Sequence, residues 1–192
     1  MRIIGGMAAG RLIDVPKGFD VRPTPDLVRQ AIFNSIGHLV EGARVLDLFS
    51  GSGALGLECL SRGAGSVLSI EKANRHAMMI RQNIVAVELP LEKYQLRVQD
   101  VFISLVQLAE AKNQFDLITA DPPFGEKNVG RRSTSMSQKL LDNEHLPKLL
   151  TPEGLLVLGH TKRDTLEIPP TWEEVKVMKH GDSMMNFLKL KT

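Results

Sequence analysis

A nearly unbroken apolar run, Val45-Leu46-Asp47-Leu48-Phe49, leads almost directly into Gly51-Ser52-Gly53-Ala54-Leu55-Gly56, and this junction constrains the fold more than any other stretch of the chain. Such a run reads as a strand covered on both faces, the usual state of a strand in a parallel sheet. The glycines behind it permit a tight turn and a close approach of backbone to a ligand. The helix that they open lies at the carboxyl end of the strand, where α/β sheets bind their ligands.

The rest of the chain continues the alternation. Residues 67–70 read as a second strand and residues 74–87 as a helix with Ala77, Ile80, Ile84 and Val87 on one stripe. Tyr94, Leu96 and Val98 alternate with polar residues in a third strand, followed by a helix over 101–112 and a fourth strand over 115–120. A helix over 138–150 and a fifth strand over 155–158 come next, then two strands, 174–178 and 184–190, joined at His180-Gly181-Asp182. The pattern predicts a doubly wound α/β sheet that ends in an antiparallel hairpin. Ahead of it, residues 1–22 form a separate extension, with strand-like runs at 2–5 and 11–15 around Gly6-Met7-Ala8-Ala9-Gly10 predicting a β-hairpin. The main domain spans 23–192. It opens on a helix capped by Thr24, with Pro25 in its first position and Asp26 at its positive end. That helix turns Val28, Ile32 and Ile36 inward and Arg29, Gln30 and Asn34 outward.

Composition removes several classes. With 192 residues, 43% of them hydrophobic and 24% charged, the chain suits one globular domain and not a disordered one. A single cysteine, Cys59, excludes a disulfide framework and a multi-cysteine metal site. No two of the five histidines stand at metal-ligand spacing, so no metal is assigned. No apolar run approaches the ~20 residues that cross a bilayer, and residues 1–6 lack a secretory core, so the expected location is cytoplasmic. A net charge of +2 allows a nucleic-acid partner without arguing for one. Cys59, Trp172, Met78-Met79 and Met184-Met185 read as packing residues.

Two motifs carry chemistry. Gly51 to Gly56 match G-x-G-x-x-G between a strand and a helix, and Glu71 ends the second strand 20 residues after Gly51, where a carboxylate can accept hydrogen bonds from both hydroxyls of a ribose. Together they indicate an adenosine-containing cofactor. Asp47, four residues before Gly51, would repel a pyrophosphate and suit an ammonium group, which favours S-adenosylmethionine over NAD. It can also bond loop amides. Asp100, just past the third strand, can accept from an adenine amino group or simply cap the helix that follows. The second motif, Asp121-Pro122-Pro123-Phe124, leaves the fourth strand on the same edge of the sheet. Two prolines remove two N–H donors and leave carbonyl oxygens. The Asp121 carboxylate and the Pro122 carbonyl can take the two hydrogens of an exocyclic amine, while Phe124 stacks on its ring. Such an amine is a poor nucleophile, so positioning supplies most of the catalysis. Lys127, Arg131 and Arg132 beyond the motif, with Arg11 and Arg22 near the N-terminus, are candidate contacts to RNA phosphates.

These residues, with Met1-Arg2-Ile3-Ile4-Gly5-Gly6, Gly10-Arg11, Arg22-Pro23-Thr24, Phe33-Asn34, Glu71-Lys72 and Gly181-Asp182, make the chain resemble the RsmD family of bacterial 16S rRNA guanine-N2 methyltransferases over essentially its whole length. The resemblance implies a seven-stranded, Rossmann-like class I methyltransferase fold and S-adenosylmethionine as cofactor. It adds Phe49, Ser52, Gly53 and Lys72 to the cofactor side. It implies a guanine in 16S rRNA as target, met during assembly of the small ribosomal subunit. Met7-Ala8-Ala9, Pro25 and Gly159-His160 depart from the family's usual pattern. An amino-methyltransferase acting on DNA adenine or cytosine or on a protein glutamine amide is the main alternative. An NAD-dependent oxidoreductase fits Asp47 and the Asp-Pro-Pro-Phe motif poorly. A non-catalytic RNA-binding module has no need of either motif.

Overall fold

The computed structural model describes residues 1–16, 24–124, 128 and 131–191. The strands are β1 (Arg44–Leu48), β2 (Ser66–Glu71), β3 (Tyr94–Val98), β4 (Phe115–Ala120), β5 (Leu150–Thr161), β6 (Trp172–His180) and β7 (Ser183–Leu190). They form one sheet in the order β3-β2-β1-β4-β5-β7-β6. The first five run parallel, and β7 runs antiparallel to both β5 and β6. Strand order reverses between β1 and β4, and that reversal opens a crevice at the carboxyl ends of the strands.

Helices cover both faces. α1 (Asp26–Ile36), α2 (Ala54–Ser61) and α3 (Asn74–Ala86) pack on one side, in a cluster that contains Val28, Leu57, Ile80 and Val45. α4 (Val101–Glu110) and α5 (Met136–Leu141) pack on the other, with Leu46, Leu48, Leu105 and Leu140. The pleat of β1 therefore sends Leu46 and Leu48 to one cluster and Val45 to the other. Asp47 shares the face of Val45, in register with Ser69 of β2 and Thr119 of β4.

The N-terminal segment is less regular than the expected hairpin. One antiparallel bridge, Arg2 to Leu12, joins its two limbs. Between them the amides of Ile4, Gly5, Met7 and Ala8 are taken by α2, while Gly10 N reaches back to Ile3 O at 2.9 Å. Glu58, fully buried, accepts the N–H of Ile4 and of Gly5, each at 2.8 Å, and also pairs with Arg62 at 2.8 Å. Ser61 Oγ accepts from Ala8 N at 2.9 Å and donates to Gly5 O at 2.6 Å. Ile3, Ala8 and Ile13 are thereby drawn into the same cluster as α1 and α2.

Other expectations change with tertiary context. Arg29, expected to face outward, is fully buried; it donates to the carbonyls of Arg2 and of Thr24 and pairs with Asp26 at 3.1 Å. It fastens the start of the chain to the first turn of α1. The helix expected over 138–150 divides into α5 and a 3-10 turn, Pro147–Leu149, because Asn143 Oδ1 accepts from the amides of His145 and Leu146. β5 begins at Leu150, five residues before the expected start, and its pairing with β4 shifts register between Phe115 and Leu117. Met78 is 64% exposed and is no core residue, whereas Met185, Cys59 and Trp172 are buried.

The Glu58 clamp sets a stability test. Glu58→Ala strands two backbone amides and the Arg62 guanidinium, at a cost of about 3 kcal/mol. For a chain of this size that lowers Tm by roughly 6–12 °C in scanning calorimetry. Arg2→Ala, which removes only an exposed contact to Asp26, shifts it by no more than about 2 °C.

Candidate active site

The crevice at the switch point holds a cavity of about 410 Å³, walled by Phe49, Gly51, Glu71, Asp100, Asp121 and Phe124 among others. A smaller space of about 50 Å³ adjoins it, floored by Asp47. Phe49, Gly51 and Asp121 border both.

The wall between them is a strained turn. Phe49, at the end of β1, has φ +56°, which a bulky residue rarely adopts. Its ring meets Phe102 edge-on, 6.4 Å between centroids at 70°. Ser50 holds the turn by donating its hydroxyl to Asp47 O at 2.8 Å and its amide to Ile70 O at 3.1 Å. Gly51 N then donates to Glu71 Oε2 at 2.9 Å, and Ala73 N to Glu71 Oε1 at 2.8 Å. His76 Nδ1 lies 3.5 Å from Oε1. A carboxylate has about four acceptor sites, so two amides leave Glu71 able to accept further hydrogen bonds in the cavity.

Asp47 is buried and bonded on every side. Thr119 Oγ1 donates to it at 2.9 Å and Ser69 Oγ at 3.2 Å, and the Gly56 amide also donates. Since Ser69 gives its proton to Asp47, its 2.6 Å contact with Tyr94 Oη has the tyrosine as donor. Burial raises the Asp47 pKa to about 6, and the hydroxyl donors hold it from going higher. A Cβ at Gly56 would stand 3.1 Å from Asp47 Oδ2, so α2 presses its first turn onto this carboxylate.

Asp121 follows β4 and is oriented from two sides. Thr24 Oγ1 donates to its Oδ2 at 2.5 Å. Gly159 of β5 makes room for Oδ1, which a Cβ there would approach to 2.3 Å. Burial raises the Asp121 pKa above the usual carboxylate range, and the Thr24 hydroxyl opposes the rise. Pro122 is buried behind it, while Phe124 stays 43% exposed at the mouth of the cavity.

The cofactor-side residues expected from sequence thus converge. Asp47, Phe49, Gly51, Ser52, Glu71, Lys72 and Asp100 all border one or other space, and Gly53 leads into α2. Asp100 also caps α4, with Oδ1 accepting from Phe102 N at 2.9 Å. The cationic candidates do not converge. Arg11 pairs with Glu88 at 2.7 Å, beyond the far end of α3, whose 13 residues run about 20 Å from the cavity edge. Arg132 is tied to Asp142 at 2.7 Å and Glu167 at 3.3 Å. Arg131 is exposed, and Arg22 and Lys127 lie outside the described residues. Sequence reasoning takes Thr24 for a helix cap and passes over Gly159 and His76 as site residues. Thr24 lies 97 residues from its partner, and no local pattern signals such a contact.

The family model described as "Conserved hypothetical protein 95" matches residues 1–189. The chain is 33% identical to the "Putative rRNA methyltransferase YlbH" of Bacillus subtilis, over 89% of this chain and 87% of that protein. It is 32% identical to the "Ribosomal RNA small subunit methyltransferase D" of Haemophilus influenzae, over 94% and 89%. Among solved structures it resembles the "Putative methyltransferase yhhF" of Escherichia coli, with TM-score 0.77, 27% identity and coverage of 100% and 98%. A "putative methyltransferase complexed with SAH" shares the fold at TM-score 0.64 and 19% identity, over 82% of this chain and 48% of that one.

Asp47 gives the site a pH signature. In the unfolded chain its carboxyl ionises near 3.8, and in the fold near 6. Between those values the native state keeps a proton that the unfolded state has released, so this group's contribution to stability falls as pH rises. Ionisation of Asp47 costs about 3 kcal/mol by pH 7. In urea titrations, Asp47→Asn should gain on the parent protein by about 2 kcal/mol between pH 4 and pH 7, since part of the cost is already present at pH 4, and the other carboxylates cancel in the comparison.

Proposed function

Because the chain belongs to the conserved hypothetical protein 95 family, the RsmD family, we propose that it transfers a methyl group from S-adenosylmethionine to the exocyclic N2 amine of a guanine in 16S rRNA. The curated relatives at 33% and 32% identity carry rRNA methyltransferase names, which supports RNA as the substrate. The reaction belongs to small-subunit assembly, in the cytoplasm; among the described residues no helix is long and apolar enough to cross a membrane.

The single observation that carries this reading is the position of Asp121, which borders both the larger cavity and the Asp47 space. An amine held by Asp121 therefore stands where the two spaces meet. The residues present fit the cofactor. Glu71, with acceptor sites left, suits two ribose hydroxyls; Ile70, Val101 and Phe49 offer apolar walls to a flat ring; and Asp100 can bond its amino group. Asp47 places negative charge beside the smaller space, suited to an ammonium group. When bound, S-adenosylmethionine supplies an electrophilic methyl group.

The chain's own groups do the rest. Phe124 presents a ring face at the mouth for the base to stack on, an arrangement that requires the guanine to leave its own stack. Asp121 and the Pro122 carbonyl accept the two amine hydrogens and so fix the nitrogen's lone pair out of the ring plane. Thr24 and Gly159 hold the carboxylate in one orientation before the base arrives, which removes the reorganisation that water would require. A nitrogen that gains a methyl group must lose a proton. Asp121, with its pKa raised, is the better acceptor for it than an ordinary surface carboxylate.

The test uses small-subunit rRNA, naked and as particles, from cells that lack the protein. Incubation with S-adenosylmethionine should yield N2-methylguanosine by nucleoside mass spectrometry. Methylation of DNA or of a protein amide, with the RNA unmodified, overturns the reading. Asp121→Ala should cut turnover by about 10²–10³-fold, while cofactor affinity in calorimetry stays close to that of the parent protein. Phe124→Leu should lose less, because an apolar wall survives without the stacking face.

A further inference from the structure

We propose that three loops beside the Asp121 motif form one ridge that binds the RNA backbone flanking the target base, with Arg131, Arg163 and Lys179 as its cations. The inference rests on the proposed RNA substrate and names where that RNA lies. Thr161, at the carboxyl end of β5, pairs with Ser183, so the turn between β6 and β7 stands on the same edge of the sheet as Asp121. Side-chain and backbone bonds then join three successive loops. Asn128, four residues past Phe124, accepts the Thr165 amide at 2.9 Å and donates to Thr165 O at 3.1 Å and to Arg131 O at 3.2 Å. The turn holding Thr165 is joined in its turn to the β6–β7 connection, with Lys162 N donating to Asp182 O at 2.8 Å and Lys162 Nζ meeting Asp182 Oδ1 at 2.7 Å.

The charges along this ridge are uncompensated. Arg131, Arg163 and Lys179 are exposed, and none has an ion-pair partner among the described residues. Of the acidic groups nearby, Asp182 pairs with Lys162, and Asp164 is buried away from the surface, with neither carboxylate oxygen bonded to a cation of the ridge. The β6–β7 hairpin shows the same bias along its length. At its far end Glu173 stands opposite Lys189, a cross-strand pair of opposite charges. At the end beside the site, Lys179 faces Met184 and His180 faces Ser183. A hairpin concerned only with solubility has no reason to balance its charges at one end and leave them bare at the other. A polyanion at the bare end supplies one. The ridge also takes the place of cations that the fold diverts, since Arg11 lies far from the cavity and Arg132 is engaged by two carboxylates.

The full-length double variant Arg163→Ala/Lys179→Ala tests this against the parent protein and against Lys189→Ala, at the far end of the hairpin. RNA affinity is read across a salt series with a fragment of the modified rRNA. Deleting one cation that neutralises a phosphate of single-stranded RNA flattens the slope of log K against log salt by about 0.7, so the double variant should flatten it by about 1.4. Its KM for rRNA should rise by about tenfold, with S-adenosylmethionine affinity and Tm unchanged. Lys189→Ala should match the parent. A parent protein that methylates rRNA, with a double variant of equal slope and KM, overturns the ridge and leaves the proposed function standing. A double variant that binds naked rRNA normally but fails on the assembled particle assigns the ridge to a protein partner and also overturns it. A parent protein that neither binds nor methylates rRNA removes the function and the ridge together.

Discussion

A carboxylate placed inside a parallel sheet must find donors within the sheet, and at Asp47 that requirement organises everything around it. Its neighbours in register are Ser69 and Thr119, so the row crossing three central strands is hydroxyl–carboxylate–hydroxyl where a purely structural sheet would be aliphatic. The Gly56 amide adds a donor from above, which brings α2 down onto the sheet. With α2 so close, the chain between them has only a sharp reversal available, and Phe49 takes the strained backbone angle. That reversal delivers the Gly51 amide to Glu71. Two of the site's carboxylates, Asp47 and Glu71, are thus coupled through one turn: the buried Asp47 sets the turn, and the turn orients Glu71.

How much of this can be read in the chain depends on how far apart the partners lie. The strand, the glycine loop and Glu71 are separated by one βα unit, and period and spacing carry them. The placement of Asp121 on the same edge follows from the parallel rule for successive strands. The residues that give Asp121 its orientation are another matter. Thr24 reads as a helix cap because Thr-Pro-Asp is a helix start in isolation; its hydroxyl is used instead by a carboxylate from β4, and α1 begins without a side-chain cap. Arg29 reads as solvent-exposed because a cation on a helix usually is. It is buried because the carbonyls of Arg2 and Thr24 need a donor there. Gly159 stands out in the sequence only as a departure from the family pattern, and nothing local shows its purpose, which is the absence of a side chain against a residue 38 positions before it.

Charge shows the same division between count and position. A net charge of +2 is nearly neutral, and arginines near the N-terminus, in α1 and at the end of α2 are consumed by internal pairing with Asp26, Glu88 and Glu58. What matters to a polyanion is the remainder after such pairing, and where on the surface it lies. Cations counted along the sequence overstate the field at one end of this molecule and understate it at the other.

The bonds that complete the site close long loops. Thr24 reaches Asp121 across 97 residues, and the Gly5 amide reaches Glu58 across 53. The entropy of closing such loops grows only slowly with their length, so spans of this size are tolerated, but neither bond can form before both of its partners exist. On a ribosome the N-terminal segment is made first, yet its partners on α2 and β4 emerge only much later. Thr119, which donates to Asp47, is made only with β4, so the turn that Asp47 sets is incomplete until then. Both halves of the site therefore wait on β4: Asp47 for the Thr119 hydroxyl, and Asp121 for its own synthesis, after which it is held by a residue made 97 positions earlier.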